Sequence, residues 1–449
     1  SIDLVTGNKY LREVDARWPD GLILARHYNS RNGFARTLGP GWSHSWDTRV
    51  VRVSSSEAQV LQADGGRRVF HRLAAPAAPP DLEPFESHDP LVGRLSHHRD
   101  LARRWPWRWR LPDGREMHFD RVGRLALLTD PYRGRFELDY LADAPLLREV
   151  RHASGVRLQL SHDASGRLVA LTHPDGRVTR YAYDPHGALI HVRAADGSER
   201  HYRYQGLDAP HALAVVEDGR HREWLRVRYD AQGRAIASQR HGEPGIQVAY
   251  RLPVVSGGIG ESIVIHDGGA VSRYRWRYRT HEHRAVLLSA EGPGCPVCPP
   301  TGFVRRHDSA DRLLLESWPG RGVEWRWRRD HRGRVTRWER WHRTGPTPPV
   351  RVSLRAFEYL GEGLHQPLVE IRVPSLAPGR WAGIRWSHDD QGRVLARTVH
   401  GHTPVWRSWD PRTGEPRRWQ PIARTTRYGY EATGAARGRL AYVDGPLPG

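Results

Sequence analysis

Two cysteines and 26 histidines are the residues of this chain that most readily ligate metals. Cys295 and Cys298 form a Cys-x-x-Cys pair, which supplies half of a tetrahedral zinc site. His281, His283 or His307 would have to complete such a site, but none has a fixed spacing to the pair and no second Cys-x-x-Cys exists. A buried thiol pair or an oxidised bridge at a loop tip explains the same residues. We therefore expect neither a metal nor a cofactor.

Aspartates recur along the chain, and paired carboxylates are common tools of hydrolysis. Most stand at a fixed distance from a glycine, and Asp favours turns because it accepts hydrogen bonds from backbone amides two residues on. We therefore predict structural roles in turns and no catalysis by this chain. The predicted turn residues are Asp163, Gly166, Asp175, Gly176, Asp184, Gly187, Asp230, Gly233, Asp389 and Gly392.

Rows of tryptophan are the other candidates for binding. Trp107 and Trp109 alternate along one predicted strand, and Trp325 and Trp327 along another, so that each pair lies on one face of a sheet. Such rows could stack sugars, which makes a surface module that binds carbohydrate or cell wall the alternative interpretation. Packing against the next hairpin also explains the rows, and we favour packing.

The composition indicates a folded chain with many turns. Of 449 residues, 38% are hydrophobic, and glycine and proline number 45 and 33. The net charge is +20, and almost all of the positive charge is carried by arginine, since Lys9 is the single lysine. The arginines are dispersed among 50 acidic residues, which does not favour specific nucleic-acid binding. No stretch approaches the roughly 18 apolar residues of a membrane-spanning helix.

An internal repeat supplies the elements that must position these side chains. An aromatic residue or His is followed by Asp, two variable residues, Gly, Arg and an aliphatic residue, and the pattern returns at steps of 21 or 22 residues. Copies occupy 160–168, 180–187, 226–234, 306–313, 329–335 and 386–394. A second turn, such as Pro174-Asp175-Gly176-Arg177, lies about ten residues from the first, so each repeat is predicted to be one hairpin.

The residues of each turn predict the type of turn, and the alternation along each strand predicts which side chains share a face of the sheet. Asp184-Pro185-His186-Gly187 has the residues of a type I turn, and Asp175-Gly176 suits a two-residue type I′ hairpin. In Val178–Tyr183 and Glu199–Tyr204 the tyrosines fall at every second position, which places them on one face of the sheet.

The Tyr-Asp-x-x-Gly-Arg-(Leu/Val) spacing resembles the YD repeat of Rhs proteins, teneurins and the shell-forming subunits of insecticidal toxin complexes. Arg26-His27-Tyr28-Asn29-Ser30 and Leu38-Gly39-Pro40-Gly41-Trp42 resemble the domain that opens the shell of bacterial Rhs polymorphic toxins. Gly294-Cys295-x-x-Cys298 also resembles an insertion in Rhs cores.

We therefore predict an all-β fold, a long antiparallel meander of YD-repeat hairpins that forms a curved sheet or partial β-cocoon. Its predicted parts are an opening β domain at 1–72, a Pro/Ala-rich loop at 73–93, and a repeat array at 94–449 with insertions near 251–307 and 342–380.

The resemblance implies a structural shell segment that encapsulates a C-terminal effector polypeptide. The implied partners are the protein's own C-terminal toxin region or another polypeptide cargo, together with spike and chaperone proteins of type VI secretion. It also implies a role in interbacterial competition, with the protein in the bacterial cytoplasm before delivery and secreted afterwards. The identity of the toxin, the delivery route, and the choice between a fragment and an orphan shell stay open.

Overall fold

The computed structural model consists almost entirely of β-strands. It describes residues 1–449 except 20, 33–34, 74–80, 88, 90–91, 101, 207–210, 254, 256, 280–283, 295–300, 344, 346, 362–366, 390–391, 406–407, 433–439 and 446–449. Pro319–Arg321 forms a 3-10 turn, and no α-helix occurs among the described residues. None of the described helical segments is long and apolar enough to span a lipid bilayer. The chain divides into two compact units, Ser1–Thr301 and Gly302–Gly449.

The first unit opens with a small antiparallel sheet, which we call the opening sheet. Its strands are β1 (Tyr10–Arg17), β2 (Ile23–Asn29) and β5 (Trp42–His44), in the order β1-β2-β5. A short ribbon joins β3 (Ala35–Arg36) to β4 (Gly39–Pro40). Every residue of β2 after Ile23 is buried, and these residues include the charged side chain of Arg26.

The rest of the first unit is one meander, in which each strand pairs antiparallel with the next. Its strands are β6 (Arg49–Arg52), β7 (Glu57–Leu61), β8 (Arg67–Arg72), β9 (Leu82–Glu86), β10 (Arg94–His98), β11 (Trp107–Arg110), β12 (Glu116–Phe119), β13 (Leu125–Asp130), β14 (Gly134–Tyr140), β15 (Leu147–His152), β16 (Arg157–His162), β17 (Leu168–Thr172), β18 (Val178–Tyr183), β19 (Leu189–Arg193), β20 (Glu199–Tyr204), β21 (Leu213–Asp218), β22 (Glu223–Tyr229), β23 (Ala235–Arg240), β24 (Ile246–Arg251), β25 (Ile259–His266), β26 (Val271–Arg279) and β27 (Arg284–Glu291).

The second unit is built on the same plan, again with each strand hydrogen-bonded to its neighbour in sequence. Its strands are β28 (Phe303–His307), β29 (Leu313–Trp318), β30 (Val323–Arg329), β31 (Val335–His342), β32 (Val350–Tyr359), β33 (Leu368–Pro374), β34 (Trp381–His388), β35 (Val394–Pro404), β36 (Trp419–Tyr430) and β37 (Leu440–Asp444). The predicted all-β antiparallel meander is therefore confirmed.

The first turn of the repeat closes around Asp184 and Gly187. The amide of Gly187 donates to the carbonyl of Asp184 (3.0 Å), and the amide of Asp184 donates to the carbonyl of Ala188 (3.0 Å). Gly187 has φ of +84°, and the strand register shifts between Ala182 and Tyr183. This is a three-residue hairpin loop in which a left-handed glycine forms a bulge.

The second turn of the repeat has the same geometry, so the type I′ prediction is wrong. The amide of Gly176 donates to the carbonyl of His173 (2.9 Å), and that of His173 donates to the carbonyl of Arg177 (2.8 Å). A type I′ turn would require positive φ at Asp175 as well, yet among the described non-glycine residues only His221 and Asp311 have it. A three-residue loop confines the left-handed conformation to glycine, where it carries the least strain.

Two predicted segments differ from the structure. Strand β9 lies inside the 73–93 stretch, where a surface loop was predicted, and it pairs with β10. Phe85 and Glu83 of this strand are 1% and 4% exposed, so packing of alternate side chains overrides the Pro/Ala-rich composition. Strands β6 to β8 belong to the meander rather than to the opening sheet, so the opening segment 1–72 contains parts of both.

Candidate binding face and repeat turns

The aspartates of the first turn type organise the turn with both carboxylate oxygens. Oδ1 of Asp163 accepts the backbone N–H groups of Ser165 and Arg167, each at 2.9 Å. Oδ2 accepts Nε–H of Arg167 at 2.8 Å. Partial burial alone would raise the pKa of Asp163, but the hydrogen bonds from Arg167 and Ser165 outweigh it and lower that pKa. The carboxylate is therefore engaged on both sides inside its own turn.

The other predicted turn residues lie in turns of the same kind. Asp184, Asp230 and Asp389 each accept the backbone N–H four residues on, at 2.9, 2.9 and 2.8 Å. Asp175 accepts the amide of Arg177 at 3.1 Å. The glycines of these turns all have positive φ, namely Gly166, Gly176, Gly187, Gly233 and Gly392.

The arginine of the motif reaches the next repeat, a contact that sequence reasoning missed. The guanidinium of Arg167 lies over the ring of Tyr183, 5.2 Å from its centroid, and the hydroxyl of Tyr183 donates to the carbonyl of Leu168 (2.6 Å). The recurrence of Gly-Arg at 16 residues before a Tyr, as at Arg167 and Tyr183, was the available signal for the regular repeats. The same arrangement recurs with Arg124–Tyr140, Arg234–Tyr250, Arg334–Tyr359 and Arg393–Tyr430.

A second set of tyrosines faces the opening sheet. Each lies two residues before the repeat position that Tyr183 occupies, directly ahead of the turn. Tyr181 and Tyr202 are only 5% and 2% exposed. The hydroxyl of Tyr181 donates to Oδ2 of Asp15 (2.7 Å), and that of Tyr202 donates to Glu13. We call the face of the meander that carries Tyr181 and Tyr202 the inner face. On it, hydroxyl groups bind carboxylates of a polypeptide segment from the same chain.

Arg26 of the opening sheet is the centre of this contact. Its Nε lies 2.7 Å from Asp15 and its Nη2 lies 3.1 Å from Glu13, while Nη1 donates to the Tyr202 hydroxyl at 2.9 Å. Burial alone would lower the pKa of Arg26, but Asp15, Tyr202 and Glu13 raise it well above its ordinary value. The guanidinium also lies over the ring of Trp42, 5.2 Å from its centroid. All three guanidinium nitrogens of Arg26 thus have partners in a buried ionic network, and Arg200 adds a second cation 3.7 Å from Glu13.

The motif residues that open the chain add further contacts to the inner face. Nε1 of Trp42 donates to the hydroxyl of Tyr204 (2.9 Å). The hydroxyl of Tyr28 donates to the carbonyl of His211 (2.7 Å) and accepts the amide of Leu213 (2.8 Å). The conspicuous Arg-x-Tyr and Gly-Trp residues of the sequence therefore hold the opening sheet on the meander.

The two tryptophan rows lie in different surroundings. Trp107 and Trp109 are 5% and 1% exposed, and Nε1 of Trp109 donates to the carbonyl of Val92 (2.7 Å). Those two side chains pack inside the unit, as the packing interpretation predicts, and their faces are closed to sugars. Trp325 and Trp327 are half-buried.

Trp327 belongs to a surface of the second unit that is rich in apolar side chains and includes Arg355, which lies opposite Trp338 with its guanidinium 5.1 Å from the ring centroid; we call this surface the open face. Trp327 occupies the repeat position of Tyr181, and it lies directly opposite Trp338 on the next strand. The row continues through direct cross-strand pairs that join Phe357 to Ile371, Ile371 to Ile384, and Ile384 to Val399. Most of these side chains are half-buried, and Val399 is 41% exposed.

The opposite face of the same strands is charged. Glu339, 4% exposed, lies 2.6 Å from Arg337 and 3.1 Å from Arg351. Glu370, also 4% exposed, lies 3.2 Å from Arg385. This face thus carries ion pairs around buried carboxylates, whereas the open face carries the aromatic and aliphatic pairs together with Arg355. Cys295, Cys298, His281 and His283 lie outside the described residues.

Family comparisons match two parts of the chain. Residues 1–70 match a family described as a domain of unknown function (DUF6531). Residues 146–178 and 162–199 match the family described as RHS Repeat.

Two bacterial proteins resemble about half of the chain. The probable deoxyribonuclease RhsA of Dickeya dadantii (strain 3937) is 28% identical over 226 residues, which cover 48% of this chain and 15% of that protein. The double-stranded DNA deaminase toxin A of Burkholderia cenocepacia (strain H111) is 25% identical over 269 residues, or 52% of this chain and 18% of that protein. The matches thus span less than a fifth of either relative.

Solved structures with a similar arrangement include the Photorhabdus luminescens Tc holotoxin pore. That comparison has a TM-score of 0.40 and 11% sequence identity, and it covers 96% of this chain and 26% of the other.

Proposed function

We propose that this chain, which belongs to the Rhs/YD-repeat family, is a structural wall segment of a polymorphic toxin that encapsulates an effector polypeptide. In this proposal the cargo is the toxin region of the same protein. Delivery by type VI secretion against competing bacteria, with spike and chaperone proteins as further partners, completes the proposal. The protein would then reside in the bacterial cytoplasm first and be secreted afterwards.

The observation that carries this proposal is the way in which the inner face holds the opening sheet. Tyr181, Tyr202 and Arg26 join the two through buried hydrogen bonds and ion pairs. A YD-repeat meander of this chain thus covers polypeptide with the face that bears the aromatic repeat position. On the open face of the second unit, Trp327 occupies the same repeat position as Tyr181. In this proposal, that face contacts the cargo polypeptide.

The carboxylates of the repeat support a role without chemistry. Asp163, Asp230 and Asp389 each accept a backbone amide with Oδ1 and, with Oδ2, the guanidinium of the arginine four residues on. A catalytic acid or base needs a proton-exchanging oxygen that faces the substrate, and these oxygens face their own turn. The nuclease and deaminase activities in the names of the two relatives would belong, in this proposal, to cargo regions rather than to the wall.

A photo-crosslinking experiment tests the proposal. The photoreactive residue p-benzoylphenylalanine replaces Ile371 on the open face or, as a matched control, Arg372 on the charged face of the same strand. The gene product is expressed as the cell makes it, irradiated and analysed by mass spectrometry. We expect adducts between position 371 and polypeptide of the same gene product, and none from position 372. Adducts from neither position, or equally from both, would contradict encapsulation.

A carbohydrate-binding module is the second candidate, because Trp327 and Trp338 lie side by side and half-buried. Aromatic side chains of this kind can stack on sugar rings. Retention of the purified chain on bacterial cell wall, lost in Trp327→Ala but kept in Trp105→Ala, would favour this candidate. If the purified chain is not retained on cell wall, only the encapsulation proposal stands.

A further inference from the structure

Three side chains with metal-ligating atoms converge on the face of β19 and β20 that is opposite to the inner face. His191 and His201 are direct cross-strand partners, and their rings stack with centroids 4.5 Å apart and 22° between the ring planes. Glu199 precedes His201 by two residues and therefore lies on the same face. Its Oε2 is 3.5 Å from Nε2 of His191 and 3.8 Å from Nε2 of His201.

The ligand atoms of this cluster have few competing partners. All three lie within 4.8 Å of one another, and Nε2 of His191 is a buried nitrogen without a hydrogen-bond partner. Arg193 approaches Glu199 through the other carboxylate oxygen, Oε1, at 3.8 Å. Oε2 is therefore the oxygen that faces both imidazoles.

The surroundings of His201 favour its neutral imidazole, which is the form that binds metal. Partial burial, followed by the charges of His191 and His221, lowers the pKa of His201. His221 stacks on His201 with 4.5 Å between centroids, and its own partner is Glu217 at 3.4 Å. Arg203 is held by Glu217 at 2.6 Å. Arg193, which lies directly opposite Arg180 of β18, adds positive charge beside Glu199.

We propose that His191, Glu199 and His201 bind one Zn²⁺ ion, with water as the fourth ligand. Two imidazoles and a carboxylate are a ligand set that zinc takes in proteins, whereas Ca²⁺ and Mg²⁺ prefer oxygen ligands alone. Ligand atoms of tetrahedral zinc are about 3.3 Å apart, given bonds of about 2.0 Å, so small side-chain movements close the site. The three side chains are 26–32% exposed, which leaves a path for the ion and room for water. The ion would link β19 to β20 on the outside of the meander, independently of the proposed encapsulation.

Zinc binding to the purified, EDTA-treated chain tests this site. The experiment uses a Cys295→Ser/Cys298→Ser background, so that the thiols cannot contribute. We expect one Zn²⁺ per chain in competition with a chromophoric chelator, a higher melting temperature in the presence of zinc, and weaker binding as the pH falls and the imidazoles are protonated.

The variants separate this site from adventitious binding. His201→Ala should bind zinc at least ~10-fold more weakly and lose the zinc-dependent rise in melting temperature. His186→Ala, at an exposed turn of the same meander, should behave like the parent. Glu199→Gln keeps both imidazoles and should also weaken zinc binding. It therefore tests the site even if His201→Ala folds poorly. Unchanged affinity in His201→Ala and Glu199→Gln, or no binding by the parent, would overturn the proposal.

Discussion

The guanidinium of Arg167 lies over the ring of Tyr183, 5.2 Å from its centroid, and thereby joins the turn of one repeat to a strand of the next. The same arginine donates Nε–H to Asp163 inside its own turn. A single side chain thus stabilises a loop and couples it to the neighbouring hairpin. In repeat proteins such nearest-neighbour contacts carry much of the stability of the array.

Removal of the hydroxyl at Tyr183 should weaken this coupling. Tyr183→Phe keeps the ring under Arg167 but deletes the hydrogen bond to the Leu168 carbonyl. We expect a loss of about 1–2 kcal/mol in the free energy of unfolding, measured by hydrogen exchange of the amides in β17 and β18. Tyr132→Phe is the control, since Tyr132 is 90% exposed. Equal effects at the two positions would show that the hydroxyl of Tyr183 contributes nothing.

A pair of glycines separates backbone strain from steric contact. Gly187 and Gly39 have φ of +84° and +83°, but a Cβ at Gly187 would meet nothing within 4 Å, whereas one at Gly39 would lie 2.3 Å from the carbonyl oxygen of Gly187. Gly187→Ala should cost about 1–2 kcal/mol from strain alone. Gly39→Ala should cost clearly more, because the opening segment must move away from the turn. Thermal unfolding of both variants checks this order, and a smaller loss for Gly39→Ala would contradict the contact.

The buried ionic network should respond strongly to loss of its cation. Arg26→Met removes the ion pairs of Asp15 and Glu13 with Arg26, which leaves Asp15 with the Tyr181 hydroxyl, and Glu13 with the Tyr202 hydroxyl and with Arg200 at 3.7 Å. Removal of one partner from such a network costs about 3–5 kcal/mol. We expect fast hydrogen exchange in β1 and β2, whereas Arg12→Met, on the exposed side of β1, should leave exchange unchanged. Addition of Asp15→Asn to Arg26→Met should restore part of the protection. Protection that survives Arg26→Met would mean that apolar packing alone holds the opening sheet.

Glu83 should make stability depend on pH in the acidic range. Burial alone would raise its pKa, but hydrogen bonds from Arg99, His97 and Arg52 lower the pKa from 4.5 to about 2. A carboxylate with a lowered folded-state pKa contributes its full stabilisation above its unfolded pKa and loses it as the pH falls. The parent should therefore exceed Glu83→Gln in stability at neutral pH, and the gap should close between pH 4.5 and about 2. A gap that stays constant over that range, in urea unfolding, would refute the assignment.

Much of the fold follows from local sequence. The strand alternation and the spacing of Tyr-Asp, Asp-Gly and Gly-Arg are sufficient to predict hairpins and an antiparallel meander, since both turns and faces are set by residues near in sequence. The strand Leu82–Glu86 was not predicted, because the Pro/Ala-rich composition of 73–93 indicates a loop and the alternation of buried residues in the strand is short. The type I′ turn was wrong because Asp-Gly suits two loop geometries, and a three-residue loop spares Asp175 a positive φ.

The sequence by itself determined the strands, the turn positions and the family resemblance, because these depend on short-range patterns. Tertiary structure alone decided that Arg26 lies beneath Tyr202, that Trp109 is closed while Trp327 is half-buried, and that His191 lies opposite His201. Such contacts depend on strand register and on which face another segment covers. Alternation assigns a side chain to a face, but only the packed chain determines what that face meets.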